Sequence, residues 1–305
     1  MPNHGTPFHF FETLKGFPTY KLYRKILNKK VGLSMENKDW LLAELKTIEK
    51  WEQDQKGIWF WERIGRLPFK LLDKITPAFI QKKIGILLDE LGQFVQTGGQ
   101  YLTQEKLVLK RLQKQSNQHQ LTLEDISTLP LSTMDEVSKN LKVNRGNLAT
   151  IQGATTGVGG IFTLAIDIPV LLGLSLKTLQ EIAITYGYDP KDREERIFIV
   201  KCLQFSSADI VGKQAILNEL SSFYKRQEVT NTEMISQLQG WREVVYTYRD
   251  QFGWKKLLQM VPIAGILFGA ITNRSMINDL SEVGIMLYRK RRILEKLDQK
   301  LKRPD

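Results

Sequence analysis

Apolar residues recur along most of this chain at steps of three and four, the spacing of one helix face. Leu41, Leu45, Ile48 and Trp51 form the first such stripe and predict a helix from Asp39. Ile58, Trp59, Phe60 and Trp61 follow, before a break at Leu67 and Pro68. That aromatic group suits a core, the default, or a membrane interface. Ile80, Ile84, Leu87, Leu88 and Leu91 predict a second helix from Pro77 to Val95, stopped by Gly98 and Gly99. Another carries Lys106, Lys110, Arg111 and Lys114 on a basic, solvated face. Residues 116–133 are polar and read as a linker, centred on about 116–130. Within it Thr122 and Asp125 have the spacing of a short helical start, and Ser132 and Asp135 have it for a longer one.

The stretch from Gly146 to Leu176 is rich in glycine and apolar residues, and its helix runs on to a cap at Tyr186 and Gly187. Asp189 and Pro190 predict the next start, with proline at the first helical position and Asp192, Glu194 and Glu195 in the acidic first turn. Helices are expected over 207–224 and 231–250. A second apolar block spans Leu257 to Thr272. An amphipathic tail then runs from Ile277 to Arg303, with Ile277, Leu280, Val283, Gly284, Leu287 and Tyr288 on one side. No alternating run is long enough to anchor a sheet, and no repeat has a fixed period. The expected fold is all-α: a multi-helix bundle with a central glycine-rich apolar helical hairpin. Residues 1–35 read as a basic, aromatic arm and 36–305 as one helical domain.

Each apolar block holds a G-x-x-x-G. Gly153 and Gly157 (with Gly160) in the first, and Gly265 and Gly269 in the second, are candidates for close helix packing. A spanning helix needs about 20 apolar residues. The first block contains Asp167, whose carboxylate costs on the order of 3 kcal/mol at mid-bilayer, and Pro169, which bends a helix. The second is short and carries Gln259 and Pro262. A buried hairpin and an interfacial hairpin both remain open.

Charge sharpens the membrane alternative. The 305 residues carry 44 Lys and Arg against 33 Asp and Glu, a formal net charge of +11. A surplus of this size suits anionic partners: phospholipid headgroups, an acidic protein face or nucleic acid. Arg289, Lys290, Arg291, Arg292 and Lys296 cluster on the amphipathic tail and are the candidate contacts to a membrane or partner. A solvated helix explains the same run. The hydrophobic content of 42% and mean hydropathy of −0.26 argue against a polytopic transporter. No basic n-region leads into an apolar h-region, so no secretory leader is expected. The lone cysteine, Cys202, permits no internal disulfide and sits among apolar residues, which predicts a buried side chain in a reducing compartment.

Candidate chemistry is sparse. The three histidines, His4, His9 and His119, lack metal-site spacing, so no metal site is expected. No phosphate-binding loop, dinucleotide fingerprint or nucleophile elbow is present, and no cofactor is evident. Asp167, an acid between Ile166 and Ile168, needs a partner or a wet pocket. Arg196 and Asn273 are the pocket candidates beside it, with Arg193 and Arg274 as further partners. A buried hydrogen bond or salt bridge that fixes helix register is the preferred reading of Asp167 over a catalytic role. Nucleic-acid motifs are missing, which makes that partner an unlikely one, and any small-molecule ligand is unknown.

Taken together, several short segments resemble the EcsC family. They are Gly153 to Gly160, Asp167 to Pro169, Ile182 with Ala183, Tyr186 to Pro190, and Arg193 to Arg196. Val261 to Gly265, Gly269, Ala270 and Asn273, followed by a basic tail, are similar to its C-terminal signature, and Trp51 also fits. The resemblance covers about residues 40 to 300 and carries over no catalytic residues. The family takes its name from a bacterial operon that also encodes an ABC-transporter ATPase and its membrane subunit. That association agrees with the basic tail and the glycine-rich hairpins, and with them suits a cytoplasmic protein of undefined biochemical activity, peripheral to the inner face of the membrane or to a transporter complex. An enzyme, such as a hydrolase, with a pocket around Asp167 is the alternative, and nucleic-acid binding through a basic surface a weaker one.

Overall fold

Asn37 starts the first helix: its side-chain oxygen accepts a 2.8 Å bond from the Trp40 N–H. The computed structural model describes residues 36–55, 89–98, 103–156, 161–207, 210–225 and 273–302. Helix α1, Lys38–Asp54, buries Leu41 and Ile48 and packs Leu45 and Trp51 partly against the core. The stretch 89–97 is helical and ends on Gly98 at φ 80°, whose N–H bonds the Phe94 carbonyl. Glycine adopts that left-handed conformation without a Cβ penalty. The remainder of the helix expected from Pro77, and the one expected over 231–250, lie outside the described residues.

Helix α2, Glu105–Ser116, buries Val108 and Leu112 and turns its four cations outward, as the sequence predicts. The supposed linker is packed instead. Leu121, Ile126 and Leu129 are buried within it, because three apolar side chains in a polar stretch suffice to tie it to the core. Asp125 accepts bonds from both the N–H and hydroxyl of Thr122, and a 3-10 turn follows over Glu124–Thr128. Helix α3, Leu131–Thr156, starts one residue before Ser132. Its first N–H, that of Leu131, donates to the Glu36 carboxylate, so a distant side chain supplies the cap and Asp135 turns inward.

Helix α4, Ile161–Thr185, runs back along α3, with Arg145 reaching Glu181. It ends in a Schellman pattern: Tyr188 N–H bonds Ala183 O and Gly187 N–H bonds Ile184 O. Gly187 at φ 83° makes that turn. Pro190 does not open the next helix. Asp189 accepts from the N–H of Lys191 and, through its carbonyl, from that of Asp192, and this turn delays helix α5 to Arg193–Ser207. Helix α6, Ile210–Lys225, packs on α5.

Helix α7, Asn273–Lys302, is the longest of the described helices, about 45 Å at 1.5 Å per residue. It packs against α1, α3, α4 and α5 and is the hub of the described bundle. Ile277, Leu280, Val283, Leu287 and Tyr288 are buried along it. Two close approaches seat it. A Cβ on Gly284 would lie 2.8 Å from Leu179 Cδ2, and one on Gly146 2.5 Å from Asn278 Oδ1. Gly157, Gly160, Gly265 and Gly269 lie outside the described residues, and Gly153 falls in the last turns of α3 with its surroundings undescribed. All elements are helical among the described residues.

Candidate functional site

The basic run on α7 is where the sequence concentrates charge, and each of its side chains has a partner inside the protein. Arg289 donates through Nε to Asp135 at 3.1 and 3.0 Å and pairs through Nη2 with Glu44 at 2.8 Å. Asp135 also accepts 2.7 Å from the Tyr186 hydroxyl. Lys290 bonds both oxygens of Glu52, at 2.9 and 2.7 Å, and lies over the Tyr224 ring. Arg292 caps the end of α4 through the Tyr186 carbonyl and pairs with Glu295 at 2.7 Å. Lys296 bonds Glu36 at 2.8 Å and the Leu129 carbonyl at 2.9 Å.

The pair made by Arg291 is set among aromatic rings. Its Nη1 donates to both oxygens of Glu195, at 3.1 and 2.9 Å. Its guanidinium carbon sits 4.0 Å from the Tyr188 ring centroid and 4.4 Å from that of Phe198. The Tyr288 hydroxyl donates 2.5 Å to Glu195. The planar, delocalised guanidinium stacks on aromatic rings in a way that a lysine ammonium does not.

The electrostatics follow from burial. Burial pushes the Asp135 carboxyl above its ordinary range, against the opposing pull of Arg289 and Tyr186. Burial likewise raises Glu52, despite the bonds from Lys290. The phenols of Tyr186, Tyr188, Tyr224 and Tyr288 are all pushed up by burial, as is the thiol of Cys202. A raised thiol in an apolar helix is a poor nucleophile. Cys202 is a buried small hydrophobe, as its sequence context predicts. Among the described residues, the buried hydroxyls of Tyr188 and Tyr224 meet no hydrogen-bond partner. The cluster ties α7 to α1, α3, α5 and the end of α4, and its cations are paired with internal carboxylates.

This arrangement corrects the reading of Arg289, Lys290, Arg291, Arg292 and Lys296 as contacts offered to a membrane or partner, or as a solvated tail. Their side chains are between 5% and 16% exposed and spent on internal carboxylates and carbonyls. Arg196 is also committed: it donates to the carbonyls of Val95, Gln96, Pro190 and Lys191, capping the 89–97 helix. Helix C-termini favour such cations. Asp167 falls in the first turns of α4 and Asn273 begins α7, and both side chains lie outside the described residues. Arg193 and Arg274 are exposed.

Sequence reasoning missed the acids that matter. Asp135 and Glu195 read as helix-start residues, and nothing in the sequence singles out Glu36, Glu44 or Glu52. The available signal was the amphipathic α7, whose cations lie too close to its apolar stripe to be solvated together. Among the described residues no group of three or more His, Cys, Asp and Glu could hold a metal ion, and no helix is long and apolar enough to cross a membrane.

An all-helical bundle organised on an internally neutralised cationic helix is the class of protein that the geometry defines. The EcsC protein family model matches residues 43–293, and the chain belongs to that family. It is 62% identical over 265 residues to "Uncharacterized protein YdbA" of Bacillus subtilis (strain 168), covering 87% of this chain and 97% of that one. It is 30% identical over 158 residues to "Protein EcsC" of the same organism, covering 52% of this chain and 63% of that protein. No solved structure matches. Neither relative's name states an activity.

Proposed function

We propose that this protein works peripherally at the cytoplasmic face of the membrane, on anionic lipid or on a membrane transporter complex. The supporting observation is where its surplus charge lies. With the α7 cations spent internally, the excess falls on residues 1–35, with six Lys and Arg against one Asp or Glu, and on 56–88, with seven against two. Both stretches are rich in aromatics, among them Phe8, Phe10, Phe11, Tyr20 and Tyr23 in one and Trp59, Phe60 and Trp61 in the other. Basic residues interleaved with aromatics suit the headgroup layer, where cations meet anionic phosphates and amphipathic rings settle at the interface. The location in a reducing compartment rests on the lone, buried Cys202.

Co-sedimentation of the full chain with vesicles tests this. Binding to phosphatidylglycerol vesicles at low salt, absent with phosphatidylcholine and reversed by salt, is expected from screening of surface charge. A folded full-length chain that stays in the supernatant with anionic vesicles at low salt overturns it.

A further inference from the structure

The outer surface shared by α2, α3 and α4 combines solvent-exposed cations with large exposed aliphatic side chains. On α2, Leu107, Lys110, Arg111 and Lys114 stand at steps of three and four, the spacing of one face opposite the buried Val108 and Leu112. Leu107 is 51% exposed, and both lysines are exposed. Arg111 and Arg145 both reach Glu181, so α2, α3 and α4 meet at that carboxylate.

Further exposed residues follow this junction along α4 and α3. On α4, Lys177 and Val170 lie four and eleven residues before Glu181, in line with it on one face. Both are exposed, Val170 at 49%. On α3, Leu148 and Ile151 lie three and six residues past Arg145, and are 44% and 64% exposed. Four large aliphatic side chains beside a row of cations are unusual for a surface meant only for water.

We propose that this α2–α3–α4 face is the structured surface that rests on an anionic bilayer. The proposal builds on the membrane reading above and assigns it a place on the folded core. Charge complementarity selects the occupant: Lys110, Lys114 and Lys177 match lipid phosphates. Leu107, Leu148, Ile151 and Val170 have the size and spacing to enter the layer beneath them. This cationic face is open to solvent, whereas that of α7 is closed.

Vesicle partitioning of the full chain tests the face with two substitution pairs. Lys110→Gln with Lys114→Gln removes two cations from it. At about 1 kcal/mol per cation near an anionic surface, partitioning should fall about 30-fold. Lys300→Gln with Lys302→Gln, at the far end of α7, makes the same change in net charge and should alter it less than about 3-fold. An environment-sensitive label on Ile151→Cys should shift to the blue on binding, and Cys202 is buried and will not compete for the label.

Equal losses from both pairs, or a label at 151 that does not respond, overturn this face while leaving the membrane reading intact. A wild-type chain that ignores anionic vesicles overturns both. Loss of RNA binding in the Lys110/Lys114 pair with vesicle binding unchanged assigns the face to nucleic acid and overturns the proposal.

Discussion

Replacing Glu195 by Ala removes the counter-charge from Arg291 and the acceptor from Tyr288 in one step. The pair is well shielded, with the Glu195 side chain 6% exposed and that of Arg291 16%. Arg291 is held between the rings of Tyr188 and Phe198 and leaves them only by breaking that packing. Leaving a buried charge unpaired costs about 3–5 kcal/mol. The orphaned Tyr288 hydroxyl overlaps that figure more than it adds to it, since both losses come from the same carboxylate. About 4 kcal/mol is therefore expected, a large share of a typical domain stability of about 5–15 kcal/mol. Removing both charges at once should be far milder. Glu195→Gln with Arg291→Met keeps an acceptor for Tyr288 and puts an apolar chain between the rings, and its cost should be about 1–2 kcal/mol. Urea unfolding followed by circular dichroism at 222 nm measures Glu195→Ala, the double variant and its two singles. A Glu195→Ala loss below about 1 kcal/mol means the pair is screened by water. A double variant that costs the sum of its two singles means the charges do not interact. Either result refutes the internal neutralisation of the α7 cations.

Gly187→Ala forces a side chain onto a residue at φ 83° with Arg292 Nη2 only 2.9 Å from the new Cβ. It should lower stability by about 1–3 kcal/mol, read as a lower urea midpoint. Asp135 offers a pH test. Burial raises its folded pKa above the unfolded value near about 3.9, so the folded state holds the proton more tightly. Its contribution to stability then falls as pH rises from that value through the folded pKa. The stability difference between wild type and Asp135→Asn should shrink across that window, and a difference that grows with pH contradicts the sign. Cys202 should resist a thiol reagent in the native chain and react at once in denaturing urea.

Much of the fold is legible because apolar periodicity reports burial directly. The Leu41 to Trp51 stripe, the Gly98 and Gly187 caps and the apolar side of α7 follow from three- and four-residue spacing and from glycine's freedom at positive φ. The partnership of charges is not legible. Arg291 meets an acid 96 positions away in the chain and Lys290 one 238 positions away, and no local pattern encodes which carboxylate a cation will face. Pro190 shows the same limit at short range. The proline rule is sound, but the side chain of Asp189 captures the backbone first. Close helix packing at Gly146 and Gly284, single glycines on different helices, has no G-x-x-x-G motif to announce it, because small size matters there only for what lies opposite.

The order of synthesis gives α7 a consequence for folding. It leaves the ribosome after every other described element, so Glu36, Glu44, Glu52, Asp135 and Glu195 are translated long before the cations that satisfy them. Burying those acids without their cations is costly, which disfavours close packing of the earlier helices until then. Stable assembly therefore waits for the arrival of one late helix, and a nascent chain stalled before residue 273 should remain sensitive to protease even with its earlier helices formed.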